Sequence, residues 1–250
     1  MLQFNFQGKT ALVTGSTRGI GKKIAEDLSN LGARVLITGT NQLEIDKLAQ
    51  DAKNKGYNNN YFCVNFSNSN DTNRFIRKVK KNENVDIIVN NAGINRLNSI
   101  DNVLIDDLKD MLNINLVAPT LIIKEFSPLM KQNGYGRILN VASIFSKISK
   151  EKRSIYSMTK SGLHGLTVGS SNDLARYNIL INSISPGFVL TDLTKKNLSK
   201  NEIEAYKNAI PANRLGTVDD ISKLAVFLIS DLNQYLTGQN IIIDGGFTNV

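Results

Sequence analysis

Tyr156 and Lys160 are the pair of residues whose types and spacing best suit acid–base chemistry in this sequence. They stand four positions apart, so a helix would carry both side chains on one face. A tyrosine has an ordinary pKa of about 10, too high for proton transfer near neutral pH, and an adjacent ammonium group lowers that pKa by favouring the phenolate. The spacing therefore suggests a phenol whose acidity is tuned by Lys160. Such a pair is more often a plain surface pair, so it needs supporting residues.

Further polar side chains follow two hydrophobic runs that are typical of buried strands. Ser143 follows the run 137–142, where its hydroxyl could hold a substrate oxygen beside Tyr156. Asn90, Asn91, Ala92 and Gly93 follow the run 85–89. In open parallel sheets, ligands bind at the carboxyl ends of the strands. We therefore expect both groups to lie at one edge of a sheet, beside a ligand.

Asn115 lies inside the helical pattern of 106–130. Asparagine is mildly unfavourable in a helix interior because its side chain competes for backbone hydrogen bonds. This position therefore predicts either a specific role or a local kink.

A glycine-rich turn follows the first hydrophobic run. Its residues are Gly15, Ser16, Thr17, Arg18, Gly19, Ile20 and Gly21. Glycines allow a tight turn and a close approach of a pyrophosphate, and the following helix offers unpaired N–H groups to that anion. The spacing differs from the common G-x-G-x-x-G pattern, and it lacks the Gly-Lys-Ser/Thr of a nucleotide triphosphate loop. A dinucleotide turn is the interpretation that its position favours.

The end of the second hydrophobic run bears on the choice of cofactor. Sites for NAD usually place a carboxylate there for the ribose 2′-hydroxyl, but this run ends at Thr40 and Asn41 without an acid. Arg18 could instead meet a 2′-phosphate through a forked, charged contact. These residues favour NADP (NADPH) over NAD.

The elements that would position these residues alternate between strands and helices along the whole chain. We predict strands at 10–14, 34–38, 61–64, 85–89, 137–142, 179–185 and 239–243, and helices at 20–31, 42–55, 72–80, 106–130, 154–175 and 218–229. This order predicts an α/β fold with a Rossmann-type, doubly wound parallel sheet of about seven strands. No linker or repeat divides the chain, so residues 1–250 are expected to form a single dinucleotide-binding and catalytic domain.

Composition excludes several other kinds of site. The sequence has 250 residues, a net charge of +8, one cysteine and one histidine. It therefore has no internal disulfide, and we expect no metal site and no Ser-His-Asp hydrolase site. The lysines are scattered rather than grouped in a stripe with aromatic residues, so no nucleic-acid partner is expected. No apolar run could span a bilayer and no secretory signal opens the chain; we expect a cytoplasmic protein without a membrane partner.

Taken together, these motifs resemble those of the short-chain dehydrogenase/reductases. The resemblance runs from Lys9 to Gly246 and rests on the glycine turn, Asn90-Asn91-Ala92-Gly93, Asn115, Ser143, Tyr156-x3-Lys160 and Pro186-Gly187, in family order. It implies that Tyr156 donates or accepts the proton, Ser143 orients the carbonyl, and Lys160 lowers the pKa of Tyr156 and holds the nicotinamide ribose. It implies that Asn115 anchors a water-linked proton relay through Lys160.

The resemblance also implies contacts with the cofactor. Asn65 and Phe66 would meet the adenine, with Asn65 in place of the family's usual acid, and Asn91, Ala92 and Gly93 would line the pocket. Val189 and Thr191, after Pro186 and Gly187, would hold the nicotinamide carboxamide. The family tends to form homotetramers, partly through the last strand and the helix that bears the catalytic tyrosine.

Several segments look like those of bacterial 3-oxoacyl-[acyl-carrier-protein] reductases, among them Thr40, Arg18 and residues 186–192 and 210–216. The resemblance thus implies an NADPH-dependent carbonyl reductase of fatty acid biosynthesis, acting on a small or carrier-linked 3-oxoacyl thioester. Two alternatives stay open: a dehydrogenase of a sugar or other small secondary alcohol, and a non-catalytic dinucleotide-binding scaffold. The intact set Asn115, Ser143, Tyr156 and Lys160 argues against the scaffold.

The segment 146–154, just before Tyr156, departs from the family pattern because it is basic where relatives are often small and polar. We advance the hypothesis that it meets an anionic substrate, either a phosphopantetheine arm or a nucleotide-linked sugar. The simpler interpretation is a solvated loop.

Overall fold

Seven parallel strands form one sheet in the computed structural model, which describes residues 3–191 and 199–249. The strands are β1 Thr10–Val13, β2 Arg34–Gly39, β3 Asn60–Cys63, β4 Ile87–Asn90, β5 Gly136–Val141, β6 Ile179–Pro186 and β7 Asn240–Ile243. The α-helices of the described residues are α1 Gly19–Asn30, α2 Gln42–Asn54, α3 Ser69–Asn82, α4 Ile105–Leu112, α5 Ala118–Asn133, α6 Ser154–Leu174, α7 Lys200–Ala209 and α8 Val218–Ile229.

The strand order is β3-β2-β1-β4-β5-β6-β7, so the direction of winding reverses between β1 and β4. Strand β1 pairs in parallel with β2 on one side and with β4 on the other. A crevice forms at such a reversal, outside the carboxyl ends of the strands. The predicted doubly wound α/β fold is confirmed, and it places the glycine turn and the end of β4 at this crevice.

Two hydrophobic clusters lie on opposite faces of the sheet. Val13 of β1 belongs to a cluster with α1 and α8, whereas its neighbour Leu12 belongs to a cluster with α3 and α5. Both side chains are fully buried. Strands covered on both faces are typically continuous aliphatic runs, as in the Arg34–Gly39 strand. The buried faces fix the register of the strands and hence the position of each residue at the carboxyl edge.

Side-chain caps begin several helices. Asn41 accepts a hydrogen bond from the N–H of Glu44 at the start of α2, and Asn68 caps α3 through the N–H of Asp71. Thr217 and Asp220 cap each other's backbone groups at the start of α8. Each cap contributes about 1 kcal/mol. No helix in the described part of the chain is long and apolar enough to cross a membrane.

The helix predicted over 106–130 differs from the structure in one respect. It is interrupted by a π-helical turn at Asn113–Val117, between α4 and α5. Asn115 lies within this turn and is fully buried. The sequence predicted either a specific role or a local kink at Asn115, and the π-helical turn is such a local irregularity. Turns of this kind are frequent at functional sites.

Candidate active site

A cavity of about 570 Å³ opens at the carboxyl ends of β1 to β4. This volume falls within the roughly 300–1,000 Å³ of small-molecule sites. Twelve of the predicted cofactor residues line it: Gly15, Thr17, Arg18, Gly19, Ile20, Thr40, Asn65, Phe66, Asn91, Ala92, Gly93 and Thr191. The sequence analysis missed seven further lining residues: Thr38, Gly39, Asn41, Glu44, Val64, Ile94 and Ile114.

The glycine turn is held tightly against the end of β4. Gly15 has a φ of +61°, and a Cβ at this position would stand 2.8 Å from the Cα of Ala92. The side-chain amide of Asn91 donates to the carbonyl oxygens of Thr14 and Gly15, each at 2.9 Å. Only glycine combines this left-handed backbone with so close an approach. The turn and the β4 end therefore form one rigid wall of the cavity.

Helix α1 begins at this wall with its N–H groups unsatisfied by any side chain. Its cap residue, Arg18, makes no side-chain capping bond, and no acid lies in the first turn. The first N–H groups of a helix and its positive dipole end attract anions. A shaped cavity, an uncapped helix start and a glycine cradle together fit the diphosphate of a dinucleotide.

The far end of the cavity contains groups that could discriminate between cofactors. Arg18 and Thr40 are both exposed and line this end together. Glu44 lines it too, and its carboxylate is opposite in charge to Arg18. At the neighbouring β3 end, the side-chain oxygen of Asn65 accepts a bond from the N–H of Ser67 at 3.0 Å, which leaves one lone pair for another donor.

The remaining predicted cofactor residues lie beside the cavity or beyond it. Ser16 is buried, and its hydroxyl donates to the carbonyl of Val13 at 2.6 Å, so it shapes the turn. A Cβ on Gly21 would stand 2.6 Å from the carbonyl oxygen of Gly15. Pro186 is the last residue of β6. A Cβ on Gly187 would stand 2.7 Å from the Cβ of Asp244. Val189 forms an isolated parallel β-bridge with Gly216.

The four predicted catalytic residues come from three elements: Asn115 from the π-helical turn, Ser143 from the segment after β5, and both Tyr156 and Lys160 from α6. Asn115 and Lys160 adjoin the cavity at Gly93. Asn115 accepts a bond from the N–H of Ile94 and donates to the carbonyl of the same residue, both at 2.9 Å. A Cβ on Gly93 would stand 3.4 Å from both the Oδ1 of Asn115 and the Nζ of Lys160. The π-helical turn, the β4 end and α6 therefore meet at Gly93.

Tyr156 lies on the first turn of α6, with Ser143 beside it. A hydrogen bond joins the Ser143 hydroxyl to the tyrosine, and Ser143 also accepts a bond from the N–H of Phe145 at 3.2 Å. The Phe145 ring packs edge-on against the Tyr156 ring, with centroids 6.1 Å apart. Ser143 and Tyr156 are thus brought together as the sequence predicted.

The pKa of Tyr156 differs from the expectation. Burial raises the pKa of Tyr156 above its ordinary value, and this outweighs the lowering by the Ser143 hydrogen bond and by the Arg153 charge. Lys160 donates from Nζ to the carbonyl of Val141 at 2.8 Å, and Nζ lies 5.7 Å from the centre of the Tyr156 ring. Burial lowers the pKa of Lys160 itself to about 8. The phenol is consequently held in its protonated form at neutral pH.

Comparisons with known proteins agree with this architecture. A family model described as Enoyl-(Acyl carrier protein) reductase matches residues 15–248. The 3-oxoacyl-[acyl-carrier-protein] reductase of Aquifex aeolicus is 35% identical over 247 residues, which cover 98% of this chain and 99% of that protein.

Two solved structures are similar over nearly their whole length. The gluconate 5-dehydrogenase from Burkholderia cenocepacia, in complex with NADP and tartrate, is 30% identical with a TM-score of 0.91, covering 99% of this chain and 98% of that one. The 3-oxoacyl (acyl-carrier-protein) reductase from Agrobacterium tumefaciens, with NADP bound, is 28% identical with a TM-score of 0.90, covering 97% and 95%.

These matches extend across the glycine turn, the β4 end and the tyrosine helix described above. The chain belongs to the short-chain dehydrogenase/reductase family and is an NAD(P)-dependent oxidoreductase that acts on CH–OH groups.

Proposed function

We propose that this chain is an NADPH-dependent reductase of 3-oxoacyl thioesters, and that the thioester is carried by an acyl carrier protein. The observation that carries the proposal is the pairing of Ser143 with Tyr156, on the helix whose Lys160 meets Asn115 at Gly93 in the lining of a cavity that fits a dinucleotide. The Aquifex relative's name supplies the substrate class.

The cofactor would be held by the glycine turn, the start of α1 and the ends of β2, β3 and β4. Arg18 and Thr40 would meet its 2′-phosphate, and Phe66 would lie against its adenine. When bound there, NADPH supplies the hydride chemistry. The exposed guanidinium of Arg18, with Thr40 and Asn41 rather than an acid at the end of β2, supports NADP over NAD.

Tyr156 would give its proton to the carbonyl oxygen of the substrate. The buried phenol is protonated and so carries the proton that a reduction needs, and the Ser143 hydrogen bond and the Arg153 charge, which lower its pKa, favour release of that proton. Ser143 would hold the same oxygen through its hydroxyl. Lys160 would hold the nicotinamide ribose, and Asn115 would fix the backbone of Ile94 beside it and anchor the proton relay.

A second candidate is the oxidation or reduction of a sugar acid or other small secondary alcohol. The similarity to the gluconate 5-dehydrogenase, at a TM-score of 0.91, favours this candidate. Both candidates use the same catalytic set and differ in what the substrate mouth must hold. The cytoplasm suits either reaction, since NADPH and carrier-linked thioesters are intracellular reagents.

We further propose that four copies of the chain associate. Large apolar side chains lie exposed on α6 and at the entrance to α5, including Met158, Val168 and Val117. Contiguous exposed apolar surface often marks a protein interface. Strand β7 is an edge strand whose four residues are all half-buried, which leaves a second surface for a partner copy.

The variant Tyr156→Phe separates a catalyst from a dinucleotide-binding scaffold. It removes one hydroxyl and keeps the ring that packs on Phe145. We expect binding of NADPH, followed by its fluorescence, to stay within about twofold, while kcat with a 3-oxoacyl thioester falls by about 10³-fold or more. The distant substitution Tyr177→Phe serves as the control and should leave kcat unchanged. Retention of turnover in the Tyr156 variant would contradict the assigned role.

A further inference from the structure

The segment 147–153, between Ser146 and α6, carries four cations and one acid. The cations are Lys147, Lys150, Lys152 and Arg153, and the acid is Glu151. Within the part of the chain that the structure describes, none of these cations is joined to a carboxylate by an ion pair. Their charges are therefore available to a ligand.

Two of the four cations lie against aromatic rings. The guanidinium of Arg153 lies 4.6 Å from the centre of the Phe145 ring, and Phe145 is the ring that packs against Tyr156. The Nζ of Lys150 lies 5.8 Å from the centre of the Tyr206 ring on α7. A cation is attracted to an aromatic face, which favours these positions for the two charges.

The ring under Lys150 belongs to a cluster of three aromatic side chains. Tyr206 stacks on Phe188 with centroids 4.1 Å apart, and Phe247 packs edge-on against Phe188 at 5.1 Å. Phe188 follows directly after Gly187 at the end of β6, and α7 carries Tyr206. The segment 147–153 thus places two of its cations against aromatic side chains, one of which, Phe145, packs on Tyr156.

The start of α6 adds a further attraction for anions at the same place. Arg153 is the cap residue of α6, its side chain makes no capping bond, and no acid lies in the first turn. The first N–H groups of this helix and its positive dipole end therefore face the segment that holds the guanidinium. An oxyanion placed here would meet both.

The distance from Arg153 to the reacting phenol limits the size of the molecule that could bridge them. The separations of 4.6 Å and 6.1 Å along Arg153, Phe145 and Tyr156 place the guanidinium carbon no more than about 11 Å from the centre of the Tyr156 ring. The Arg153 charge also lowers the pKa of Tyr156, so its field reaches the phenol. An extended pantetheine arm would put its phosphate roughly 20 Å from the oxo group, by ordinary bond lengths. A carboxylate a few bonds from the carbonyl matches the shorter distance.

We infer that Arg153, supported by Lys150 and the start of α6, binds a carboxylate carried by the substrate, so that this site reduces short oxo acids as well as thioesters. A guanidinium offers a planar pair of N–H donors that matches a carboxylate. The inference rests on the proposed carbonyl reductase function and names a second substrate class for the same site. The carbonyl carbon gains the hydride, the carbonyl oxygen takes the Tyr156 proton, NADPH becomes NADP⁺, and the carboxylate is unchanged.

The test compares three carbonyl substrates. They are a 5-oxo sugar acid, acetoacetyl-CoA, and the uncharged acetoacetyl-N-acetylcysteamine thioester. The variants are Arg153→Gln, the conservative Arg153→Lys, and two controls that each remove one positive charge, Lys152→Gln in the same segment and Lys81→Gln at the end of α3. Thermal unfolding and NADPH binding are recorded for every variant to exclude misfolding.

Arg153→Gln should raise KM for the oxo acid by about tenfold or more, as expected for loss of a charged hydrogen bond, and change KM for the uncharged thioester by less than about twofold. Arg153→Lys should recover part of the loss, and both controls should resemble the wild type. The rise in KM for the oxo acid should shrink at high salt, because exposed charges are screened.

The other outcomes each decide a point. An equal rise in KM for the uncharged thioester would show that Arg153 only shapes the loop, and a rise confined to acetoacetyl-CoA would show that it meets a phosphate. Either result overturns the inference.

Calorimetric binding of the oxo acid to the NADP⁺ complex of Tyr156→Phe supplies a readout without turnover. Binding that depends on Arg153 in a protein that reduces none of the three substrates would uphold the carboxylate site and refute the proposed reductase function. Reduction of the thioester without binding or turnover of the oxo acid would uphold the proposed reductase function and refute the carboxylate site.

Discussion

Arg18 is the residue whose charge bears most directly on the choice between NADPH and NADH. It is exposed, lines the adenosine end of the cavity, and is accompanied there by Thr40. A hydrogen bond to a charged group contributes about 1.5–3 kcal/mol, or roughly ten- to a hundredfold in affinity. Arg18→Ala should weaken NADPH binding by that factor and alter NADH binding little. Lys22→Ala, one turn further along α1, is the matched control, and equal losses for both cofactors in Arg18→Ala would refute the role.

Glu44 shares this end of the cavity and should act in the opposite direction. Its carboxylate would repel a 2′-phosphate and could accept a bond from a 2′-hydroxyl. Glu44→Gln keeps the shape of the side chain and should improve NADPH binding relative to NADH by about two- to fivefold, since exposed charges interact weakly. Fluorescence titration with both cofactors measures the ratio, and an unchanged ratio would show that the side chain lies clear of the ribose.

Lys160 gives the protein a pH-dependent stability that can be isolated by mutation. Burial lowers its pKa from 10.5 to about 8 in the folded chain, so between these values the unfolded chain binds more protons. The free energy of unfolding should therefore rise with pH across this range, by at most about 3 kcal/mol, and be flat below pH 8 with respect to this group. Urea unfolding of the wild type and of Lys160→Met at pH 7 to 10 measures it. The difference between the two proteins should move in favour of the wild type as pH rises, and parallel profiles would contradict the buried amine.

The sequence predicted the residues of the site better than their electrostatics. Motif spacing identified Ser143, Tyr156, Lys160 and Asn115, because each lies at a fixed place in a strand–helix pattern. The same spacing misjudged the pKa of Tyr156, since burial depends on the packing of Phe145 and α6, which no local pattern contains. Glu44 was missed for a similar reason: it is an ordinary exposed helix residue until the end of β3 is placed beside it.

At the scale of elements, the π-helical turn at Asn113–Val117 is the feature that joins the sheet to the catalytic helix. Asn115 satisfies both the N–H and the carbonyl of Ile94, and it donates to the hydroxyl of Thr159 on α6 at 3.1 Å. The sequence indicated an unusual position because asparagine is unfavourable within a helix. It could not indicate the widened turn, because Asn115 is held there by hydrogen bonds to the backbone of Ile94, more than twenty residues away in the sequence.

Asn115→Ala should cost stability as well as activity. It leaves the polar backbone groups of Ile94 without partners next to a fully buried position, at roughly 1–3 kcal/mol for each unsatisfied group. We expect the free energy of unfolding to fall by about 2–5 kcal/mol and kcat to fall because Gly93 no longer holds its place beside Lys160. Asn113→Ala removes one bond, to the carbonyl of Ser67, from the same turn. This control should lose about 1 kcal/mol, and a similar loss in both variants would show that the turn is merely structural.

At the scale of the whole molecule, the sequence predicted a parallel sheet but not the register in which its strands pair. Alternating strands and helices indicated a parallel sheet, and right-handed crossovers restrict the ways in which such a sheet can be wound. The pairing of Val13 with both Ile37 and Val89 depends on two hydrophobic clusters that form only when the sheet is covered on both faces. That register sets the crevice at the end of β1, and so the cavity is a property of the whole sheet.

The proposal that copies of the chain associate rests on the outer surface of α6. Exposed positions recur there at spacings of three and four residues, at Met158, Ser161, Gly165, Val168 and Asn172, which makes one stripe of uncharged side chains that includes two large apolar ones. A two-fold contact would bring this stripe against its own copy, because isologous interfaces use the same patch on both subunits.

Val168→Glu would therefore place like charges opposite each other in an interface, which costs several kcal/mol. The wild type should elute in size-exclusion chromatography with light scattering near four times the chain mass of 27.6 kDa, and the variant as a smaller species. Leu43→Glu, which changes an exposed apolar residue on α2, should leave the mass unchanged. Because α6 also carries Tyr156 and Lys160, loss of the partner should lower kcat along with the mass. A variant that keeps the tetramer mass would exclude this face of α6 from the interface.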